Sequence, residues 1–152
     1  MPASVTYVAV DFASQALGEQ LAGSGFRSNV PSFFSWLGVT MYLEPQAVFA
    51  TLRWIATGTA PGSGVVFDYA ISRARLDWFE RLVYWGMSKR VAAVGEPWRA
   101  TFDPQTLSAQ LNELGFTHVE DLRSHAIDAR YFANRADGLR VGTLAALVSA
   151  RT

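Results

Sequence analysis

The sequence predicts an open, doubly wound α/β sheet, and three observations predict it. Strand-like and helix-like stretches alternate strictly through the first half of the chain, the pattern of parallel βαβ units. The run VVFDYAI, residues 65–71, is almost continuously apolar, as suits a strand covered on both faces. Two helical stretches stop on the same Gly-Phe dipeptide, Gly25-Phe26 and Gly115-Phe116, with glycine free to take the left-handed cap. Half of the 152 residues are hydrophobic, enough for one packed core.

The elements follow in order. VTYVAVDF, residues 5–12, is β-branched and aromatic, ends at an acid, and reads as the first strand. Residues 13–24 place Leu17 and Leu21 on one helix face. Residues 32–37 read as the second strand. Residues 44–57 form the clearest helix, with Pro45 near its start and Val48, Phe49, Leu52, Ile55 and Ala56 as its stripe. GTAPGSG, residues 58–64, is a turn before the third strand. Residues 73–92 predict one long amphipathic helix with Leu76, Phe79, Leu82, Val83, Met87 and Val91 turned to the core. Asp103 caps the next helix ahead of Pro104, and Phe102 and Leu107 are spaced as a hydrophobic staple. THVEDL, residues 117–122, is a strand, residues 127–133 a short helix or turn, and residues 141–150 the last strand.

Composition narrows the function classes. The 13 basic and 13 acidic residues cancel and no basic block stands out, which argues against nucleic acid or a membrane as the main partner. There is no cysteine, so thiolate chemistry and Cys-based metal sites are excluded, and His118 and His125 lack metal-pair spacing; no metal is expected. No apolar run reaches the ~18 residues of a membrane span. The N-terminal MPASVTYVAV lacks a basic leader region, so a cytoplasmic domain is expected.

Candidate site residues sit at strand ends, where open α/β sheets bind ligands. Asp11 can accept hydrogen bonds from a ligand and Phe12 can stack on a base; the plainer alternative is a helix-capping acid followed by a core Phe. Trp36, Leu37 and Gly38, with Thr40 and Tyr42 beyond, form either a close ligand approach or a tight turn under a core Trp. Asp68 and Tyr69 lie inside a buried strand, where an acid must be paired or face the crevice. Glu96, Trp98 and Arg99, and then Arg130, Tyr131, Arg135 and Arg140, read as a substrate wall or as ordinary surface. Neither GSG nor PGSG follows a strand and opens a helix, so neither is a nucleotide loop, and no HExxH, GxSxG or P-loop occurs.

Taken together, VAVDF, FFSWLGVTMYLEPQAVFATLRWIA, PGSGVVFDY, GEPWRATFDP, LGFTHVEDL and ARYFANRADGLR resemble successive blocks of one group. That group is the bacterial class I S-adenosylmethionine-dependent methyltransferases related to leucine carboxyl methyltransferase. The resemblance implies the C-terminal part of a Rossmann-like methyltransferase sheet, strands three to seven of the order 3-2-1-4-5-7-6. That sheet is mostly parallel with an antiparallel last strand, here in a single incomplete domain over residues 1–152. It implies S-adenosyl-L-methionine as cofactor, with Asp11 and Phe12 at the adenine and Trp36, Leu37 and Gly38 lining the cofactor. Tyr42, Tyr69, Glu96, Trp98, Arg99, Arg130 and Tyr131 are expected on the side of a small-molecule acceptor. Leu37 stands where the leucine carboxyl methyltransferases carry Glu. The family's glycine-rich loop after its first strand has no counterpart in these residues. The expected alternative to an enzyme is an inactive remnant or interaction module. It would dimerise or take up a complementing N-terminal half through open sheet edges, or pair residues 5–12 with the second strand.

Overall fold

A computed structural model describes residues 4–93, 95 and 97–152. Four strands form one sheet: β1 (Phe33–Trp36), β2 (Gly64–Ala70), β3 (His118–Leu122) and β4 (Ala145–Arg151), in the order β1-β2-β4-β3. β1 runs parallel to β2, and β4 runs antiparallel to both β2 and β3. Three strands therefore share a direction and the last opposes them, the run 4-5-7-6 of the expected order.

Two of the helices that cover this sheet start and stop close to where the sequence says. α1 (Leu17–Ala22) is shorter than the 13–24 expected. α2 (Pro45–Gly58) opens on Pro45 after an extended Glu44 and buries Val48, Leu52 and Ile55. α4 (Pro104–Leu114) is capped by the Asp103 carboxylate, which accepts from the Gln105 N–H at 2.9 Å. It ends at Gly115, in the left-handed region with φ 112°. Leu107, Leu111 and Leu114 then meet α2 over the face of β2 that carries Val65, Phe67 and Tyr69. Val66 and Asp68, on the other face of β2, are only half-buried, so the strand is less fully covered than its apolar run suggested.

Two expectations change. Residues 5–12 form no strand: among the described residues no backbone hydrogen bond joins residues 5–10 to a neighbour. A strand exists only as part of a ladder. Among the described residues β1 pairs on one edge only, with β2, so residues 5–12 do not pair with it either.

The helix expected over 73–92 is broken. Residues Arg73–Arg75 make a 3-10 turn, Leu76 is extended at φ −85°, ψ 144°, and α3 (Trp78–Ala93) begins afresh. The cause is a capping box. Asp77 accepts from the Glu80 N–H at 2.7 Å and Glu80 accepts from the Asp77 N–H at 2.9 Å, which fixes a helix start at that point. Leu76 is buried outside the helix, whereas Phe79, Leu82, Val83 and Met87 are exposed, so the expected stripe faces outward. The remaining elements are α5 (Ser124–Ile127) and a π-helical turn at Asp128–Phe132.

Candidate functional site at the end of β1

The centre of the site is the turn that leaves β1. Gly38 takes φ 72°, and a Cβ added there would meet nothing within 4 Å. The glycine is therefore demanded by backbone conformation and not by crowding. Asp68, on the neighbouring strand, accepts from the Gly38 N–H at 2.7 Å. The buried Thr40 hydroxyl donates to the Asp68 carbonyl. One residue of β2 thus holds both sides of the turn, which is how the acid inside that strand is paired.

Beyond the turn, the Met41 carbonyl accepts from the N–H groups of Arg99 (2.7 Å) and Ala100 (3.2 Å), which pins the 97–100 loop against it. Arg99 also reaches Glu44 at 3.1 Å. These contacts enclose a hollow of ≈ 270 Å³ bordered by Ala13, Tyr42, Glu44, Ala47, Pro97 and Arg99. Among the described residues its charged lining groups are Glu44 and Arg99. Trp98 borders the same loop, its ring 5.1 Å from that of Tyr84 on α3.

At the end of β1, Phe12 packs on Trp36 with ring centroids 5.3 Å apart. Asp11 heads the turn before α1. Its Oδ1 accepts from the Ala13 N–H at 3.0 Å and its Oδ2 from the Ser14 hydroxyl at 2.6 Å, and the Ser14 bond, then the Ala13 bond, hold its carboxyl below the ordinary range. The carboxylate remains fully exposed, so it has lone pairs to offer a ligand. A second, largely apolar hollow of ≈ 630 Å³ opens between this turn and α2, lined by Phe12, Leu17, Ala47, Ala50, Thr51 and Trp54. That volume lies within the ~300–1,000 Å³ typical of small-molecule sites. Trp36 is 7% exposed, and its indole Nε1 is a buried donor with no acceptor among the described residues. Leu37, at 52% exposure, turns to solvent.

The structure thus brings together Asp11, Phe12, Trp36, Gly38, Tyr42 and Arg99 around one strand end. It does not bring Tyr69, Arg130 or Tyr131 there. The Tyr69 hydroxyl is buried and donates to Asp121 at 2.9 Å on β3; burial, then the Asp121 charge, pushes its pKa well up. Arg130 pairs with Glu120 at 2.7 Å, and Tyr131 is exposed on the π-helical turn. Glu96 lies outside the described residues. Sequence reasoning missed Glu44, Ala47 and Thr51. Glu44 carried a signal, being an acid set directly before a helix-opening proline at the end of the Tyr42 turn.

Comparison with known proteins gives these residues a lineage. A leucine carboxyl methyltransferase family model matches residues 1–56, the part that holds Asp11, Phe12 and the Gly38 turn. YktD of Bacillus subtilis (strain 168), a protein assigned by inference to the S-adenosyl-L-methionine-dependent methyltransferases, is 30% identical over 144 residues. That alignment covers 91% of this chain and 45% of YktD, so the chain spans less than half the length of this relative. Among solved structures, a SAM-dependent methyltransferase from Archaeoglobus fulgidus superposes with TM-score 0.54 at 14% identity, over 91% of this chain and 66% of that one. The methyltransferase SibL superposes with TM-score 0.52 at 16% identity, over 94% and 34%. These two share the fold. In the order of its sheet, in the family match over residues 1–56 and in its likeness to YktD, the chain is similar to the class I S-adenosylmethionine-dependent methyltransferases related to leucine carboxyl methyltransferase.

Proposed function

We propose that the chain supplies the C-terminal walls of an S-adenosyl-L-methionine-dependent methyl-transfer site that acts on a small-molecule acceptor. The observation that carries this reading is the convergence at the end of β1. Phe12 lies on Trp36, and the hollow bordered by Tyr42 and Arg99 shares Ala13 and Ala47 with the apolar hollow at Phe12. The adenosine end of the cofactor fits the Phe12 hollow. An exposed carboxylate at Asp11, the Phe12 ring and an apolar hollow are the groups a base and ribose would use. Leu37 and Gly38 form the rim. Tyr42, Trp98 and Arg99 face the acceptor side.

The cofactor itself supplies an electrophilic methyl group, so the protein's task is to hold acceptor and donor in line and to exclude water. That task needs a base only where the acceptor's nucleophile is protonated. The amino-acid tail of the cofactor needs a cradle of backbone N–H groups of the glycine-rich kind. These 152 residues contain no such loop after a strand. Tail binding then depends on a glycine-rich segment outside them.

One observation favours a second reading, an interaction module of the same fold. β1 has an unpaired edge, with Phe33 62% and Leu37 52% exposed beside it. Titration of the chain with S-adenosyl-L-methionine, followed by calorimetry, separates the two. Millimolar-range binding weakened by Phe12→Ala and Asp11→Asn supports the cofactor wall. No binding at saturating cofactor leaves the interaction module.

A further inference from the structure

Helix α3 is built inside out. Its inward side holds Tyr84, the one fully buried side chain described on the helix, with the half-buried Glu80 and Ser88 a turn to either side. Its outward side holds Trp78 (79% exposed), Phe79 (57%), Leu82 (58%) and Trp85 (50%), flanked by Val83 and Met87. A surface helix of a globular protein normally turns its apolar stripe to the core. Here the core contact is one Tyr, held by Trp98 at 5.1 Å, with the Arg73 guanidinium 5.7 Å from its ring.

The charge around this face is mostly basic, although Arg75 is paired with Asp103 at 2.8 Å. Residues 73–90 carry five basic side chains, Arg73, Arg75, Arg81, Lys89 and Arg90, and two acids, Asp77 and Glu80, a net +3 in a chain of net zero. Both acids are engaged in the capping box at the helix start. Lys89 lies over the Trp85 ring, its Nζ 4.0 Å from the centroid, at the C-terminal end of the apolar face. A second copy of this chain seated on the face would bring basic rim against basic rim, so self-association is disfavoured.

We propose that α3 is a docking helix for an anionic lipid surface, lying in the plane of the headgroups. Trp78 and Trp85 have the amphipathic rings that settle at a membrane–water boundary. The apolar turns of 78–87 supply the buried area, and Lys89 and Arg90 reach anionic headgroups by extending their stems past that area, while Arg81 is held by the Leu76 carbonyl at 2.9 Å. Among the described residues no helix is long and apolar enough to cross a membrane, so α3 lies on the surface and does not span it. This inference is independent of the methyl-transfer reading. Where both hold, the loop at 97–100 that borders the acceptor hollow is attached through Trp98 and Tyr84 to the docked helix, which sets the hollow beside the lipid.

The test is co-sedimentation of the full chain with vesicles of phosphatidylcholine alone and of phosphatidylcholine with phosphatidylglycerol. The expected result is binding to the anionic vesicles only, falling with added salt, with a blue-shifted tryptophan emission. Lys89→Glu with Arg90→Glu weakens binding by about fivefold for each cation removed, and by more once the new charges repel. Trp78→Ser with Leu82→Ser abolishes it. All four side chains are exposed, so an unchanged unfolding midpoint shows that the variants are folded. Three results overturn the proposal: no binding to either vesicle, equal binding to both, or a dimer in sedimentation equilibrium that Trp78→Ser with Leu82→Ser disperses.

Discussion

Replacing Gly38 by alanine isolates what holds the turn after β1. At φ 72° an L side chain pays the left-handed penalty of about 1–2 kcal/mol. No steric charge is added, because the new Cβ meets nothing within 4 Å. For a chain of this size that cost lowers the thermal midpoint by roughly 2–8 °C. Asparagine tolerates the left-handed region, so Gly38→Asn costs clearly less than Gly38→Ala. Urea unfolding followed by circular dichroism measures both, and an unchanged slope shows that stability alone has moved. A loss above about 3 kcal/mol for alanine refutes the reasoning, since it would require a neighbour against the Cβ. Equal losses for alanine and asparagine refute it too, since the left-handed conformation would then not be the cause.

Further outcomes follow from the same contacts. Asp68→Ala removes a charge-assisted bond to the Gly38 N–H and lowers stability by about 1.5–3 kcal/mol in the same urea assay. Gly18→Ala drives a Cβ into the Trp54 indole, so α1 shifts off α2 at a cost of about 1–3 kcal/mol, visible as lost protection of α1 amides in hydrogen exchange. Tyr69 has its pKa raised in the folded chain, so its contribution is complete below pH ~10 and is lost as pH rises further. Tyr69→Phe therefore flattens the alkaline limb of the stability profile. Asp103 has its pKa lowered, first by its bond to Arg75, so its contribution is present above pH ~4 and is lost as pH falls; Asp103→Asn makes the acid limb shallower.

Local rules made much of this fold legible. Pro45, Asp103 with Pro104, and Gly115 set the ends of α2 and α4 as the sequence indicated. Asp68 was legible as an acid that had to be paired or to face the crevice, because it sits inside a strand of apolar residues. Its partner, 30 residues earlier in the chain, was not, because that pairing depends on the register of β1 against β2. Tyr69 could have been separated from Asp68 by the period of two along a strand, which sends adjacent side chains to opposite faces. The failure at residues 5–12 has a different cause. β-branched composition marks a segment that would fit a sheet, but not whether a neighbour is present to pair with it. The failure at α3 is similar. A helical period reveals an apolar stripe, and only the packing of Tyr84 shows that the stripe faces out. Net charge also hid the basic cluster of residues 73–90, because acids elsewhere in the chain cancel it.

The methyl-transfer account rests on a division of labour in which these residues hold the adenosine end of the cofactor and not its amino-acid tail. Calorimetric titration of the chain with S-adenosyl-L-methionine and, separately, with 5′-methylthioadenosine, which keeps the adenosine and lacks the amino acid, tests that division directly. The account predicts weak binding of both, with dissociation constants within about threefold of each other, a difference below about 0.7 kcal/mol. Binding of S-adenosyl-L-methionine more than about tenfold tighter than the fragment, which is about 1.4 kcal/mol, would mean that the chain cradles the tail by itself, and would contradict it.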